Sequence, residues 1–321
     1  MKYTSNTKSI LGCALLGGMT SGQAMAASIR YKASGDYFST LATGNVGANG
    51  WFNGGGGVGG VPGSLDTARF NYANNTVTLA GLAPTVAAFQ MGVDESGGLV
   101  VNNGGTFTAT GSSTVGNNAG GAGANLTTGF LTINSGGTVN AGGTLKLGAG
   151  ASTVAGNLKG IVTINGGVLN VASHLWVGNS NLTVGTIDIN SGGILNITNG
   201  ILGLGTANGT SASGGTGFLN VNDGGILNLF NISSTGNNSI QSGSVLDISG
   251  SGVVSIPGNF VSVMNGYITA GRITGNDLVN NVNVNFNSDL NKTFLTVIPE
   301  PGVTALLGSL GLLGLMRRRR N

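Results

Sequence analysis

The chain has 321 residues, 62 of them glycine and only 7% charged, with one cysteine and one histidine. So few cysteines and histidines exclude a disulfide framework and a Cys- or His-rich metal site. The formal charge of +3 is confined to the ends: residues 27–298 hold seven Lys/Arg against nine Asp/Glu, leaving a body of about −2 with no basic stripe for nucleic acid.

Residues 1–26 read as a secretory signal peptide. Lys2 and Lys8 give a positive start, residues 10–19 are mostly apolar, and Ala24-Met25-Ala26 is a small-residue cleavage site, with Ala24 and Ala26 flanking Met25. The apolar part is too short to span a bilayer. The expected partner is the Sec export machinery. Cys13 lies inside this segment, so the processed chain would carry no thiol.

Residues 27–88 are the least regular. WFNGGGGVGGVPG at 51–63 is a glycine-rich loop without the Lys-Ser/Thr of a phosphate loop. FNYANNTVTL at 70–79 reads as a strand pair around Asn74-Asn75. This segment is expected to cap the first coil of the repeats that follow.

Residues 89–238 repeat. A strand-and-turn marker, apolar-x-apolar-Asn followed by Gly-Gly, ends at Gly105, Gly137, Gly167, Gly193 and Gly225, spaced by 32, 30, 26 and 32 residues. A second marker, apolar-x-apolar-Gly, ends at Gly92, Gly148, Gly178 and Gly205, with a weaker copy at Gly116. A period of this size points to a repeat architecture. Apolar residues alternate within each unit, as Ile187 and Ile189 flank Asp188, which is the mark of strands with one buried face. Asn140, Asn170, Asn196 and Asn228 each follow the second glycine by three residues, with Thr108 at that place in the first unit, so stacking would bring them into a ladder. Ile133, Ile164, Ile189 and Val221 are expected in one buried row. The fold class is therefore all-β: a parallel β-helix (β-solenoid) of about six coils, with a signal helix before it and a transmembrane helix after it. Residues 239–298 supply the last coil, SVLDISGSGVVSI at 244–256, and closing strands at 261–275 and 281–297 as a C-terminal cap.

Residues 299–321 hold the sharpest motif. Pro299-Glu300-Pro301 precedes an apolar run at 303–316, which includes Val303, Leu306, Leu310, Leu313 and Met316. Arg317, Arg318, Arg319 and Arg320 follow and are expected to stay cytoplasmic. At 1.5 Å per residue the run spans about 21 Å as a helix, short against a hydrocarbon core of about 30 Å. The tail closely resembles the PEP-CTERM sorting domain, with Pro-Glu-Pro, a short glycine-containing hydrophobic helix and a basic end in order. That resemblance implies processing near Pro299, Glu300 and Pro301 by an exosortase, a membrane-embedded enzyme. It also implies export to the surface or matrix of a Gram-negative bacterium that makes extracellular polysaccharide. The central repeats are similar to those of autotransporter passenger domains.

No catalytic constellation, metal set or cofactor motif stands out. Asp188 faces outward. Its nearest acids, Asp223 in a turn and Asp247 in a weak strand, are read as occupying other places in the unit. Asp94 and Glu95 share a loop. The calcium nonapeptide is absent. His174 and Trp176 share the outer face, where an exposed Trp could stack on a sugar ring or cover a neighbouring loop. The expected function is a non-enzymatic exported surface or matrix protein. Its partners are an exosortase, the membrane and extracellular polysaccharide, with no nucleic acid. The alternatives are a polysaccharide-binding or polysaccharide-degrading β-helix protein, and an autotransporter passenger. The last needs a translocator barrel that the C-terminal residues do not resemble.

Overall fold

The computed structural model describes residues 28–31, 35–36, 51–53, 62–70, 75–93, 95–117, 126–150, 152, 154–208, 214–232 and 239–299. These residues form a parallel β-solenoid of about five regular turns with three sheets as its sides. The chain visits the sheets in the same order on every turn. Leu175–Val177 lies in sheet I, Val184–Ile189 in sheet II and Ile194–Ile197 in sheet III. Leu202–Leu204 then returns to sheet I, one rung further on.

Alternation decides which side chains enter the column. Thr127–Asn134 and Val184–Ile189 each put every second residue inside. Register does the rest. Ile133 pairs with Ile164, Ile164 with Ile189, and Ile189 with Val221. The row continues to Val101 on one side and Ile248 on the other. All six are fully buried. A β-branched side chain in such a row is covered above and below by its equivalents, so each turn closes the core of the next. Near the N-terminal end the interior is aromatic: Phe107 lies 6.0 Å from Phe70 and 5.6 Å from Phe89, ring centre to ring centre.

The unequal repeat length is absorbed at one corner. Between a sheet I strand and the following sheet II strand lie 11, 10, 6 and 11 residues in successive turns, whereas the other two corners use two to four. The corner can vary because its base is pinched. A Cβ on Gly217 would lie 2.9 Å from the nitrogen of Gly205, and one on Gly160 would lie 2.8 Å from that of Gly148. Real Cβ atoms do not come so close to backbone, so only glycine lets the chain cross itself there before the insertion loops out.

Two segments depart from the sequence reading. Residues 70–79 are not a strand pair. Thr67–Phe70 belongs to sheet I and Asn75–Leu79 to sheet II, each parallel to the next rung, so the ladder starts before residue 89. Residues 261–275 are not a closing strand throughout: only Ile273–Gly275 at the end is a strand, and Val261–Thr269 is an α-helix. Met264, Tyr267 and Ile268 are its buried residues, a helical i, i+3, i+4 set. Its end is a Schellman motif: Arg272 N–H donates to Tyr267 O and Gly271 N–H to Ile268 O, with Gly271 at φ +67°. Helix and hairpin close the solenoid. Lys292–Val297 pairs antiparallel with Val253–Pro257, and Val282–Asn287 pairs antiparallel with Lys292–Val297. Residues 1–26 and 303–316, read from the sequence as a signal peptide and a membrane segment, lie outside the described residues. Among the described residues no helix is long and apolar enough to cross a membrane.

Truncating one member of the buried row should be costly. Ile189→Ala is expected to lower unfolding stability by about 2–5 kcal/mol. Thr132→Ala, on the outer side of the same sheet, should stay within about 0.5 kcal/mol of the parent. Urea titration of the two purified variants checks the contrast.

Candidate functional site

The outer surface is organised by side-chain ladders. At the position expected from the sequence, Asn140 donates to Thr108 Oγ1 at 3.3 Å. Asn170 then donates to Asn140, Asn196 to Asn170 and Asn228 to Asn196, each at 2.8 Å. Ser255 closes the run on Asn228 at 2.7 Å. Every amide donates backward and accepts from the next turn, so one row of identical groups satisfies itself without a partner of another kind.

A second ladder, at the Asn of the strand-and-turn marker, escaped the sequence reading although every copy of the marker contains it. Asn134 donates to Asn102, Asn165 to Asn134, Asn190 to Asn165 and Asn222 to Asn190, over 2.7–3.2 Å. Ser249 ends it. The recurring Asn of the marker was the signal for it.

A third, shorter column corrects the assignment of the acids. Asp188 pairs in register with Asn220, Asn220 with Asp247, and Asp247 with Thr274. Asp188 and Asp247 therefore occupy equivalent places two rungs apart, about 9.6 Å at the usual strand spacing. Asp188 Oδ1 accepts from Asn220 at 2.7 Å. Asp247 Oδ1 accepts from Thr274 Oγ1 at 2.6 Å and from Asp277 N–H at 2.9 Å. Asp247 is 7% exposed. Both carboxyl groups act as acceptors in the wall of the solenoid.

Asp223 stands apart at the turn before Ile226–Asn228. Its Oδ1 accepts from Ser251 Oγ at 2.6 Å and Ser251 N–H at 2.9 Å. The Ser251 hydroxyl, and then its N–H, hold the Asp223 pKa below the ordinary 3.8.

His174 and Trp176 do meet, their rings stacked 4.9 Å apart and 12° from parallel. The expected exposure of Trp176 is not found, while His174 is half-buried. Trp176 is 5% exposed. A Cβ on its register neighbour Gly203 would strike the indole edge, so the next turn packs flat against the ring. Lys146, on the other side of Trp176 in the same column, reaches Asn208 Oδ1 at 2.8 Å. Asn208 N–H in turn donates to Asn179 Oδ1 at 3.0 Å. These bonds tie the loop after Leu202–Leu204 back across two earlier turns. His174 Nδ1 accepts from Ile201 N–H at 3.1 Å. The pair thus works as packing between turns, and an indole so covered has little face left for a sugar ring.

Of the sorting motif, Pro299 is described. It is exposed, two residues after the last strand. Glu300, Pro301, Val303, Leu306, Leu310, Leu313, Met316 and Arg317, Arg318, Arg319 and Arg320 lie outside the described residues, as do Ala24, Ala26 and Asp94. Among the described residues no three His, Cys, Asp or Glu groups cluster as a metal site. Comparison with family models, curated proteins and solved structures returned no match.

Breaking a ladder should cost more than its half-buried position suggests. Asn170→Leu removes one donor and one acceptor and strands two neighbours, a loss of about 1–3 kcal/mol. Asn170→Thr should lose less, because Thr108 already holds a ladder position; urea titration ranks the two. A second test concerns Asp223. Because its folded pKa is lowered, the stabilisation it gives is present above pH 3.8 and is lost as pH falls through the folded value. Ser251→Ala should bring the Asp223 titration, followed by carboxyl-carbon NMR, back up toward 3.8. The variant's stability deficit should shrink as the pH falls through that range.

Proposed function

We propose that the chain is an exported structural or adhesive protein of the cell surface or extracellular matrix, with no enzymatic activity, sorted through its C-terminal signal by an exosortase. One observation carries the reading. The fold closes with Lys292–Val297, and the exposed Pro299 opens the Pro-Glu-Pro motif directly after it. A processing enzyme would meet that motif outside the sheets.

The ladders support a structural role. Their Asn side chains are spent on one another along the long axis, which builds stiffness rather than a reactive pocket. The near-neutral body suits a protein that sits among extracellular polysaccharide without depending on strong charge attraction. Polysaccharide binding or cleavage is the second reading. Its one favourable observation is the shared column of Asp188 and Asp247, whose rungs lie about 9.6 Å apart, just past the roughly 6.5–9.5 Å between the carboxyl groups of inverting glycosidases.

Fractionation of cells expressing the full chain and a chain lacking Pro299-Glu300-Pro301 tests the sorting claim. The full chain should reach the surface or medium with its tail removed. The deleted chain should remain in the inner membrane. Equal distribution of the two would defeat the proposal. Depolymerisation of a glycan panel by the parent, lost in Asp188→Asn, would favour the second reading instead.

A further inference from the structure

We propose that, before its tail is removed, the solenoid stands end-on against the lipid bilayer, with Leu278, Val279 and Ile298 resting in the headgroup layer. The inference rests on the reading of residues 299–321 as a membrane-inserted tail and adds to it the orientation of the body and the residues that touch lipid.

The C-terminal end of the prism has an apolar corner. Leu278–Val279 is the last strand of sheet II and Val282–Asn287 the last of sheet III. Leu278 is 56% exposed, Val279 51% and Ile298 43%. They lie together because the chain folds back on itself there. Val279 pairs with Thr274, Val282 pairs with Val297, and Ile298 N–H donates to Asn281 O at 3.1 Å. These three side chains give that end of the fold an exposed apolar corner.

The partner follows from where the chain goes next. Only residues 299–302, Pro-Glu-Pro-Gly, separate Ile298 from the apolar run. Five steps of extended chain reach at most about 18 Å. The prolines favour extension but cannot lengthen it. A tail inserted in a bilayer therefore holds this corner within about 18 Å of the membrane surface. The run at 303–316 offers about 21 Å of helix to a hydrocarbon core of about 30 Å. Apolar side chains supplied from the body side lessen that mismatch. Asp277, exposed next to Leu278, needs water and so limits the depth to the headgroups.

The test uses the full chain with Cys13→Ser, reconstituted in phosphatidylethanolamine/phosphatidylglycerol vesicles. A fluorophore is placed at Val279→Cys or at Ser64→Cys. Ser64 is exposed near the opposite end, and eight rungs of sheet II, about 38 Å, separate the two ends. With headgroup spin-labelled lipid, the label at 279 should lose most of its emission and the label at 64 should keep it. Leu278→Cys serves as a second position should Val279→Cys fail to fold. Protease digestion in parallel reports whether the tail is shielded by the bilayer. A shielded tail with both labels unquenched overturns the end-on contact while leaving the tail reading intact. A chain that stays off the vesicles, with its tail digested, overturns both.

Discussion

Register between turns is the constraint from which the other features follow. Ile189 is buried because Ile164 lies under it and Val221 over it, and neither neighbour comes from its own turn. A single turn has no inside. Its aliphatic residues gain cover only when the next turn arrives at the same height and phase, so one displaced residue would carry a whole strand's apolar set to the wrong side. Between the marker glycines, 21, 20, 20 and 21 residues remain in successive turns once the variable corner loop is set aside. Insertions are tolerated only where glycine pairs such as Gly205 and Gly217 pinch the chain's entry and exit together. Length is free at one corner because it is fixed at the other two.

The ladders obey the same rule on the outside. An amide must both donate and accept, and a row of amides at strand spacing does so with each member alike. Thr108 and Ser255 sit at the two ends of one row, and Ser249 at the end of the other. A hydroxyl there takes the terminal bond and can turn its remaining capacity to solvent. The acids have been drawn into the same scheme. Asp188 stands where an amide's oxygen would be needed to receive Asn220, and Asp247 receives Thr274 and the backbone of Asp277. Surface polar groups engaged in this way give a stiff, self-satisfied rod, which is the physical content of the structural reading.

What was legible in the sequence was whatever recurs. Alternation, marker glycines and the shared Asn offset each repeat several times, and they located the strands, the buried row and one ladder. What was missed depends on a single occurrence or on a contact between turns. Residues 261–269 contain apolar residues that suit a short strand. The helix shows in the i, i+3, i+4 set of Met264, Tyr267 and Ile268 and in Gly271 beyond it. Trp176 sits on an outward strand position and so looked exposed. Its cover comes from the stacked ring of His174 and from Gly203 on the next turn. The common column of Asp188 and Asp247 was hidden because Asn220 stands between them and the later unit is degenerate.

The ends of the solenoid pose a different problem from its middle. A parallel stack always presents a last rung with unpaired backbone, and left open it would recruit further strands. The C-terminal end changes the rules of the repeat to prevent this. A helix takes the place of a sheet I strand, and sheets II and III both finish in antiparallel pairs. Antiparallel reversal within a few residues needs left-handed backbone, and here Asn and Asp supply it. Asn276, Asp277, Asn280 and Asn291 all have positive φ, whereas the repeats place glycine at most such points, Leu182 and Asn208 excepted. The substitution has a consequence for position. Glycine turns let equivalent backbones nest closely against the next turn, whereas side-chain-bearing turns hold the neighbour away. The cap is thereby both the stop of the stack and the face from which the chain departs at Pro299.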